Sequence, residues 1–116
     1  MSELDIQREV QIAASQRGAR LFRNNVGRFR SMHSERVIAC GLARGSADLV
    51  GWRTITITPD MVGKKIAQFL SVEVKQPGKK EKEHQASWRK AVNLGVGCAG
   101  VARSVGDLLK ILERKL

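Results

Sequence analysis

The 116-residue sequence is poor in aromatic residues, cysteine, proline and acidic residues. It has no tyrosine, and an aromatic fraction of 4% argues against a base-stacking platform for single-stranded nucleic acid. The two cysteines, Cys40 and Cys98, are far apart and not in a metal-type spacing. We therefore expect both cysteines to be small buried side chains of a protein in the reducing cytosol, and we expect neither a disulfide nor a zinc site. Because no apolar run approaches about 18 residues, no helix is expected to span a bilayer.

The shortage of acids leaves the chain strongly basic, with 21 Lys and Arg against 11 Asp and Glu and a net charge of +10. In a folded chain of this net charge the positive side chains repel one another, so a polyanionic partner is expected. Nucleic acid is the leading candidate and an anionic membrane surface the lesser one. The first residues lack the basic-then-apolar layout of a signal peptide, so we expect a cytoplasmic protein. The length predicts one domain, residues 1–116, with a modest core.

The arginines are concentrated between Arg17 and Arg44, where seven arginines face a single acid, Glu35. A stretch that served solubility alone would usually mix the two signs. Arginine also suits bidentate contact with phosphate better than lysine does. A solvated charge run remains the alternative interpretation of this segment.

Helix and strand patterns follow one another in the order α-β-β-β-α-β-α, which predicts a mixed α/β fold. Ser2 with Asp5 and Ser104 with Asp107 are typical of helix-capping boxes. The alternation in Thr54–Thr58 predicts a strand. The other predicted segments are a helix from Ser2 to about Gly18, a strand beginning near Arg20, a loop that leads into the next strand with Asp48 at its mouth, strands over Phe69–Gln76 and Cys98–Arg103, a helix entered over Lys79–Gln85 that runs to about Leu94, and a final helix after Ser104.

The strand Phe69–Gln76 carries Glu73 and Lys75 two residues apart, which places both charges on one face of an otherwise apolar segment. Charges in an apolar segment cost folding free energy, so we expect these two to serve a function. Asp48 follows a glycine-rich loop and is expected at the mouth of another strand. Two carboxylates that converge at one sheet repel each other, and a divalent cation would resolve that conflict. A lysine beside them can stabilise charge on a phosphate, so the set suits phosphodiester hydrolysis. A salt-bridged pair on an edge strand is the structural alternative.

Two further polar residues share helix faces with apolar ones. Gln85 is spaced with Trp88 and Val92 on the inner face of its helix, so its amide needs polar partners. Glu9 lies at the edge of the apolar stripe of the first helix, where a solvated carboxylate is the alternative. His84, next to Gln85, is expected to be a surface histidine.

Together these residues resemble the PD-(D/E)XK nuclease superfamily and, more narrowly, the stand-alone VRR-Nuc (virus-type replication-repair nuclease) domain of phage and bacterial type. The resemblance spans nearly the whole chain. Ala47 stands where the superfamily's name has proline, at a position that varies among its members. The matching features are Glu9 on the first helix, Asn24-Asn25, Gly45-Ser46-Ala47-Asp48, Glu73-Val74-Lys75, and Gln85 ten residues after the lysine.

The resemblance implies a restriction-endonuclease-like αβββαβ core, with a mixed central sheet flanked by helices, and metal-dependent cleavage of DNA. Asp48 and Glu73 would bind Mg²⁺ or Mn²⁺, and Glu9 would contact the metal directly or through water. Lys75 would be catalytic, and Gln85 would orient a neighbour in the active site. No small-molecule cofactor is expected.

By analogy, the resemblance suggests a homodimer that cleaves branched, Holliday-junction-like DNA in replication, repair or recombination, in a bacterial or phage-infected cell. The dimer surface would be either the final Leu-rich helix or the Ile55/Ile57 face. A non-catalytic nucleic-acid-binding module and a nuclease subunit of a larger assembly are the alternatives. The residues expected to contact DNA are Arg23, Asn24, Asn25, Arg28, Arg30, Arg44, Lys79 and Lys80.

Overall fold

A computed structural model describes residues 2–116, and over these residues the protein is a mixed α/β structure with three α-helices and three two-stranded sheets. In chain order the elements are α1 (Glu3–Ser15), β1 (Ala19–Arg23), β2 (Gly27–Arg30), β3 (Val37–Cys40), β4 (Leu49–Arg53), a 3-10 turn (Pro59–Met61), β5 (Leu70–Val74), α2 (Glu83–Leu94), β6 (Cys98–Ala102) and α3 (Val105–Leu112). In this part of the chain, no helix combines the length and apolar character needed to cross a membrane.

The chain folds as two compact units, which we call the first unit (the residues up to Arg53) and the second unit (Thr54–Leu116). The predicted mixed α/β class is confirmed. The restriction-endonuclease-like core, its central sheet and a single domain over residues 1–116 stay predictions.

In the first unit, helix α1 begins as the sequence predicts. The Ser2 hydroxyl accepts a hydrogen bond from the Asp5 amide (3.1 Å), and the Asp5 carboxylate accepts one from the Ser2 amide (3.2 Å). This reciprocal box satisfies amides that the first helical turn leaves without partners. Gln11 ties the helix to β1, since its Nε2 donates to the Leu21 carbonyl (3.0 Å).

Two antiparallel pairs complete the first unit. Strands β1 and β4 pair from Ala19 opposite Arg53 to Arg23 opposite Leu49. The rings of Phe22 and Trp52 pack with centroids 5.4 Å apart. Strands β2 and β3 form a hairpin. No strand was predicted over Gly27–Arg30 or Val37–Cys40, so the hairpin was missed.

The second unit is a parallel pair, β5 and β6, with α2 on one face and α3 on the other. Parallel neighbours require a crossover, which α2 supplies. Val72 packs against Cys98, Ala102 and Ile111 on the α3 side. On the other face, Trp88 of α2 donates to the Ser71 hydroxyl (2.8 Å).

The core of the second unit is small. The side chains buried there are Val92, Cys98, Ala99, Ala102 and Ile111. Cys98 is thus the small buried residue that the sequence predicted, whereas Cys40 is half-buried, and both are free thiols. His84 is exposed, as expected.

The strand predicted at Thr54–Thr58 is wrong, because β4 lies just before it, over Leu49–Arg53, and Thr54–Thr58 is irregular. Thr58 precedes the short turn that begins at Pro59, and the Thr54 hydroxyl donates to the Gly95 carbonyl (2.9 Å). An alternating pattern shows which side chains could share a face, but a strand also needs a partner for its backbone. Here the alternating segment begins the second unit, and it is β4, at the end of the first unit, that pairs with β1.

Candidate functional site

Glu73 and Lys75 lie at the carboxyl end of β5 and approach each other. The Lys75 Nζ is 3.7 Å from the Glu73 Oε1, and the side chains are 17% and 39% exposed, respectively. The Lys75 amide donates to the Ala102 carbonyl (3.1 Å), which extends the β5–β6 ladder by one residue beyond Val74. The predicted sharing of one face is therefore confirmed, and the backbone beneath both charges is held by the neighbouring strand.

Gln85 on α2 completes this arrangement. Its Nε2 donates to the Glu73 Oε1 (2.8 Å), and its Oε1 accepts a hydrogen bond from the Lys82 amide (2.8 Å) at the start of the helix. The amide is thus fixed at both ends, and the predicted need for polar partners is confirmed. Among the described residues, Gln85 and Lys75 both contact the Oε1 atom of Glu73, which leaves the Oε2 atom for a ligand.

In the first unit, Asp48 lies directly before β4 and is exposed. Its carbonyl accepts a hydrogen bond from the Asn24 amide (2.8 Å), which continues the β1–β4 pairing into the loop. The predicted position of Asp48 at a strand mouth is confirmed.

The Asn24 side chain organises the loop that precedes Asp48. Its Nδ2 donates to the Ser46 hydroxyl (2.7 Å) and to the Ala47 carbonyl (2.9 Å), and its Oδ1 accepts from the Leu42 amide (2.9 Å). Gly41 in the same loop has φ of +78°, and a Cβ there would lie 2.7 Å from the Asn25 carbonyl oxygen. These hydrogen bonds were not predicted from the sequence, because the partners of Asn24 are about twenty residues away and carry no local pattern. Contact of Asn24 with DNA stays a prediction.

The remaining predicted site residues are surface groups. Glu9 is exposed on α1, within the first unit. The other residues expected to contact DNA are also exposed, as contact with a DNA backbone requires: Arg23, Asn25, Arg28, Arg30, Arg44, Lys79 and Lys80.

The structure thus brings Glu73, Lys75 and Gln85 together in the second unit, whereas Glu9 and Asp48 belong to the first. Among residues 2–116, no three His, Cys, Asp or Glu side chains are grouped closely enough to hold a metal ion. Mg²⁺ commonly uses only one or two carboxylates, together with waters and substrate phosphates. The carboxylates of Glu73 and Asp48 have that donor chemistry, and their convergence on one ion stays a prediction.

The chain was compared with protein-family models, with curated proteins and with solved structures. None of the three comparisons found a match. The resemblance to the VRR-Nuc domain stays a prediction that rests on the residues named above.

One strong ion pair near this site was not expected from the sequence. Arg89 on α2 binds the Glu81 carboxylate through Nε (3.1 Å to each oxygen) and Nη2 (2.6 Å). The hydrogen bond from Arg89 lowers the pKa of Glu81 below its usual 4.5, and the same bond raises the pKa of Arg89. Glu81 precedes the helix, so no helical spacing marks the pair.

We expect Glu81→Gln to lower the melting temperature at pH 7. Because the folded-state pKa of Glu81 is lowered, the pair stabilises the fold above pH 4.5, and this contribution is lost as the pH falls through the lowered pKa. The difference between variant and wild type should therefore shrink on acidification, which melting curves recorded from pH 7 downward would measure. Glu113→Gln, an exposed change on the same unit, is the control. A difference that stayed constant with pH would contradict the assigned cause.

Proposed function

We propose that the protein is a Mg²⁺-dependent DNA endonuclease with a restriction-endonuclease-like core of VRR-Nuc type. The observation that carries the proposal is the arrangement at the end of β5, where the Glu73 Oε1 accepts from Gln85 (2.8 Å) and lies 3.7 Å from the Lys75 ammonium. A carboxylate that can hold a metal ion, a lysine and an orienting amide are a set that suits phosphodiester hydrolysis.

Each residue has a distinct role in this proposal. Glu73 and Asp48 would hold the metal, with Glu9 as a direct or water-mediated contact. When bound, the ion would polarise the phosphate and lower the pKa of an attacking water. Lys75 places a fixed positive charge where the scissile phosphate gains negative charge. Gln85 keeps the Glu73 carboxylate oriented, with its Oε2 available to the ion.

The charge of the chain supports DNA as the substrate. A net charge of +10 and exposed arginines on the first unit favour phosphate contact, and such contacts are largely independent of sequence. We propose that the substrate is branched, junction-like duplex and that the enzyme acts as a homodimer in replication, repair or recombination. These two points rest on the resemblance described above.

A second candidate is a nucleic-acid-binding module without catalysis, or a nuclease subunit that cuts only within a larger assembly. It is favoured by the internal pairing of Glu73, since its Oε1 already has both Lys75 and Gln85 as partners. A binding module keeps the basic surface and needs no metal, whereas a nuclease subunit would still need one within its assembly.

The test compares cleavage of four-way junction and linear duplex DNA in Mg²⁺, Mn²⁺ and EDTA. We expect cutting only with metal. Glu73→Gln should lose at least the roughly 10- to 100-fold that loss of an outer-shell partner costs, because glutamine keeps one ligand oxygen but loses the charge. Glu113→Gln should cut like wild type. If Asp48 and Glu73 share one ion, the variant that combines Glu73→Gln with Asp48→Asn will lose less cleavage activity than the product of the two single-variant losses.

Two outcomes would contradict the proposal. Cutting by Glu73→Gln at the wild-type rate would remove Glu73 from the site. Tight binding of DNA without cutting in either metal, on every DNA form, would favour the non-catalytic module.

A further inference from the structure

A basic pocket lies in the second unit, beside the start of α2 and the end of β6. Glu81 and Glu83 are its acidic residues, so five cations against two acids leave a formal charge of +3. The pocket also includes Val101, which is the register partner of Glu73 in the β5–β6 ladder. The five cationic residues that line the pocket are Lys80, Lys82, Arg89, Arg103 and Arg114.

Two of the guanidinium groups are held in place by backbone carbonyls. Arg103 donates from Nε (3.1 Å) and Nη2 (2.6 Å) to the Lys79 carbonyl, and Arg114 donates from Nη1 (2.7 Å) to the Ala99 carbonyl. A guanidinium has five N–H donors, so most of the donors of each group remain for a ligand. Because the side chains are already ordered, binding an anion would cost little rotamer entropy.

The pairing of Glu81 with Arg89 concentrates the remaining charge. These two residues neutralise each other through their bidentate contact. What remains is Lys80, Lys82, Arg103 and Arg114 against the single carboxylate of Glu83. The amino-terminal end of α2 adds a partial positive charge at the same place.

We propose that this pocket binds a backbone phosphate of DNA. Planar guanidinium forks match the geometry of phosphate oxygens, and lysines add point charges. The choice of DNA as ligand rests on the proposed function, but binding at the pocket requires no cleavage. Since Val101 is beside Glu73 in the sheet, a phosphate held here would anchor the duplex next to the Glu73–Lys75 pair.

The test measures binding of a short fluorescent DNA duplex in EDTA, by anisotropy, over a range of salt concentrations. Lys82→Ala should weaken binding roughly tenfold at low salt and reduce the slope of log K against log salt by about 1. Glu83→Gln, next to it, should strengthen binding several-fold. Lys110→Ala and Glu113→Gln make the same two charge changes on or beside α3, outside the pocket, and should leave affinity and slope near wild type.

The control pair separates the pocket from a general charge effect, which would shift the affinity alike at Lys82 and Lys110, and alike at Glu83 and Glu113. If Lys82→Ala and Lys110→Ala weaken binding equally, or if neither pocket variant changes the affinity, the proposal is overturned. If the protein cuts DNA but neither variant shifts the affinity, the proposed nuclease function is supported and the proposed pocket is contradicted. If both variants shift the affinity but the protein never cuts DNA, the pocket is supported and the nuclease function is contradicted. Melting curves would verify that each variant is folded.

Discussion

Lys75→Met is expected to lower the rate of metal-dependent DNA cleavage by about 100- to 1,000-fold, the usual effect of removing one group that stabilises transition-state charge. Methionine keeps the apolar stem of a side chain that is 17% exposed, so the packing around β5 should survive. The ammonium beside the Glu73 carboxylate is the only group removed. Single-turnover cleavage at saturating enzyme would measure the chemical step apart from DNA binding.

Lys65→Met is the matched control, because Lys65 is an exposed lysine of the same unit. It should cleave DNA at nearly the wild-type rate. In EDTA, both variants should bind duplex DNA with similar affinity. Equal rates for Lys75→Met and wild type would show that the Glu73–Lys75 contact is a structural ion pair.

Gly51→Ala is expected to destabilise the first unit by about 3 kcal/mol or more, the upper range for overpacking. Gly51 in β4 faces Leu21 in β1, and a Cβ there would overlap the carbonyl oxygen of Arg20. Because the obstacle is backbone, no side-chain rotation relieves the overlap, and the β1–β4 ladder must open. Hydrogen exchange would show faster exchange in Ala19–Arg23 and Leu49–Arg53, with Cys98–Ala102 unchanged.

Gly106→Ala makes the same chemical change with the opposite expected sign. A Cβ at Gly106 would come no closer than 3.6 Å to the Ser104 hydroxyl, and Gly106 lies within α3. Alanine is favoured over glycine in helices by up to about 1 kcal/mol, so the variant should melt slightly higher than wild type. If Gly51→Ala behaved like Gly106→Ala, the close packing of β1 on β4 would be contradicted.

The starts of α1 and α3 were predictable because their signals are local. Ser2 and Asp5 form the expected reciprocal box. The Ser104 hydroxyl likewise accepts from the Asp107 amide (3.1 Å), but the Asp107 carboxylate accepts from the Arg103 amide (2.9 Å) instead of completing the box. A capping pattern indicates where a helix begins, whereas nearby geometry decides which amide the acid takes.

The strand pairings were less predictable, since a strand depends on a partner elsewhere in the chain. Thr54–Thr58 has the clearer alternation, yet Leu49–Arg53 forms the strand because it pairs with β1. The β2–β3 hairpin pairs a strand with two arginines, Gly27–Arg30, with an apolar strand, Val37–Cys40. A six-residue connection joins them, and no short turn pair marks the hairpin.

The same difference between local signals and long-range contacts applies to the candidate site. Glu73 and Lys75 could be predicted to share a face because strand alternation relates them directly. Gln85 could be predicted to need a partner, but not which one, since the partner depends on how α2 packs on β5. The predicted convergence of Asp48 and Glu73 on one ion would depend on contacts between residues 25 positions apart, which neither alternation nor capping encodes.

The double hydrogen bonding of Gln85 links the first turn of α2 to the orientation of Glu73. One amide group both accepts from the Lys82 amide and donates to the Glu73 carboxylate. Fraying of that turn, the easiest local opening of a helix, would therefore release the carboxylate at the same moment. We therefore expect the Gln85–Glu73 hydrogen bond to break at the rate at which this one turn opens, which is faster than the unfolding of the rest of the unit.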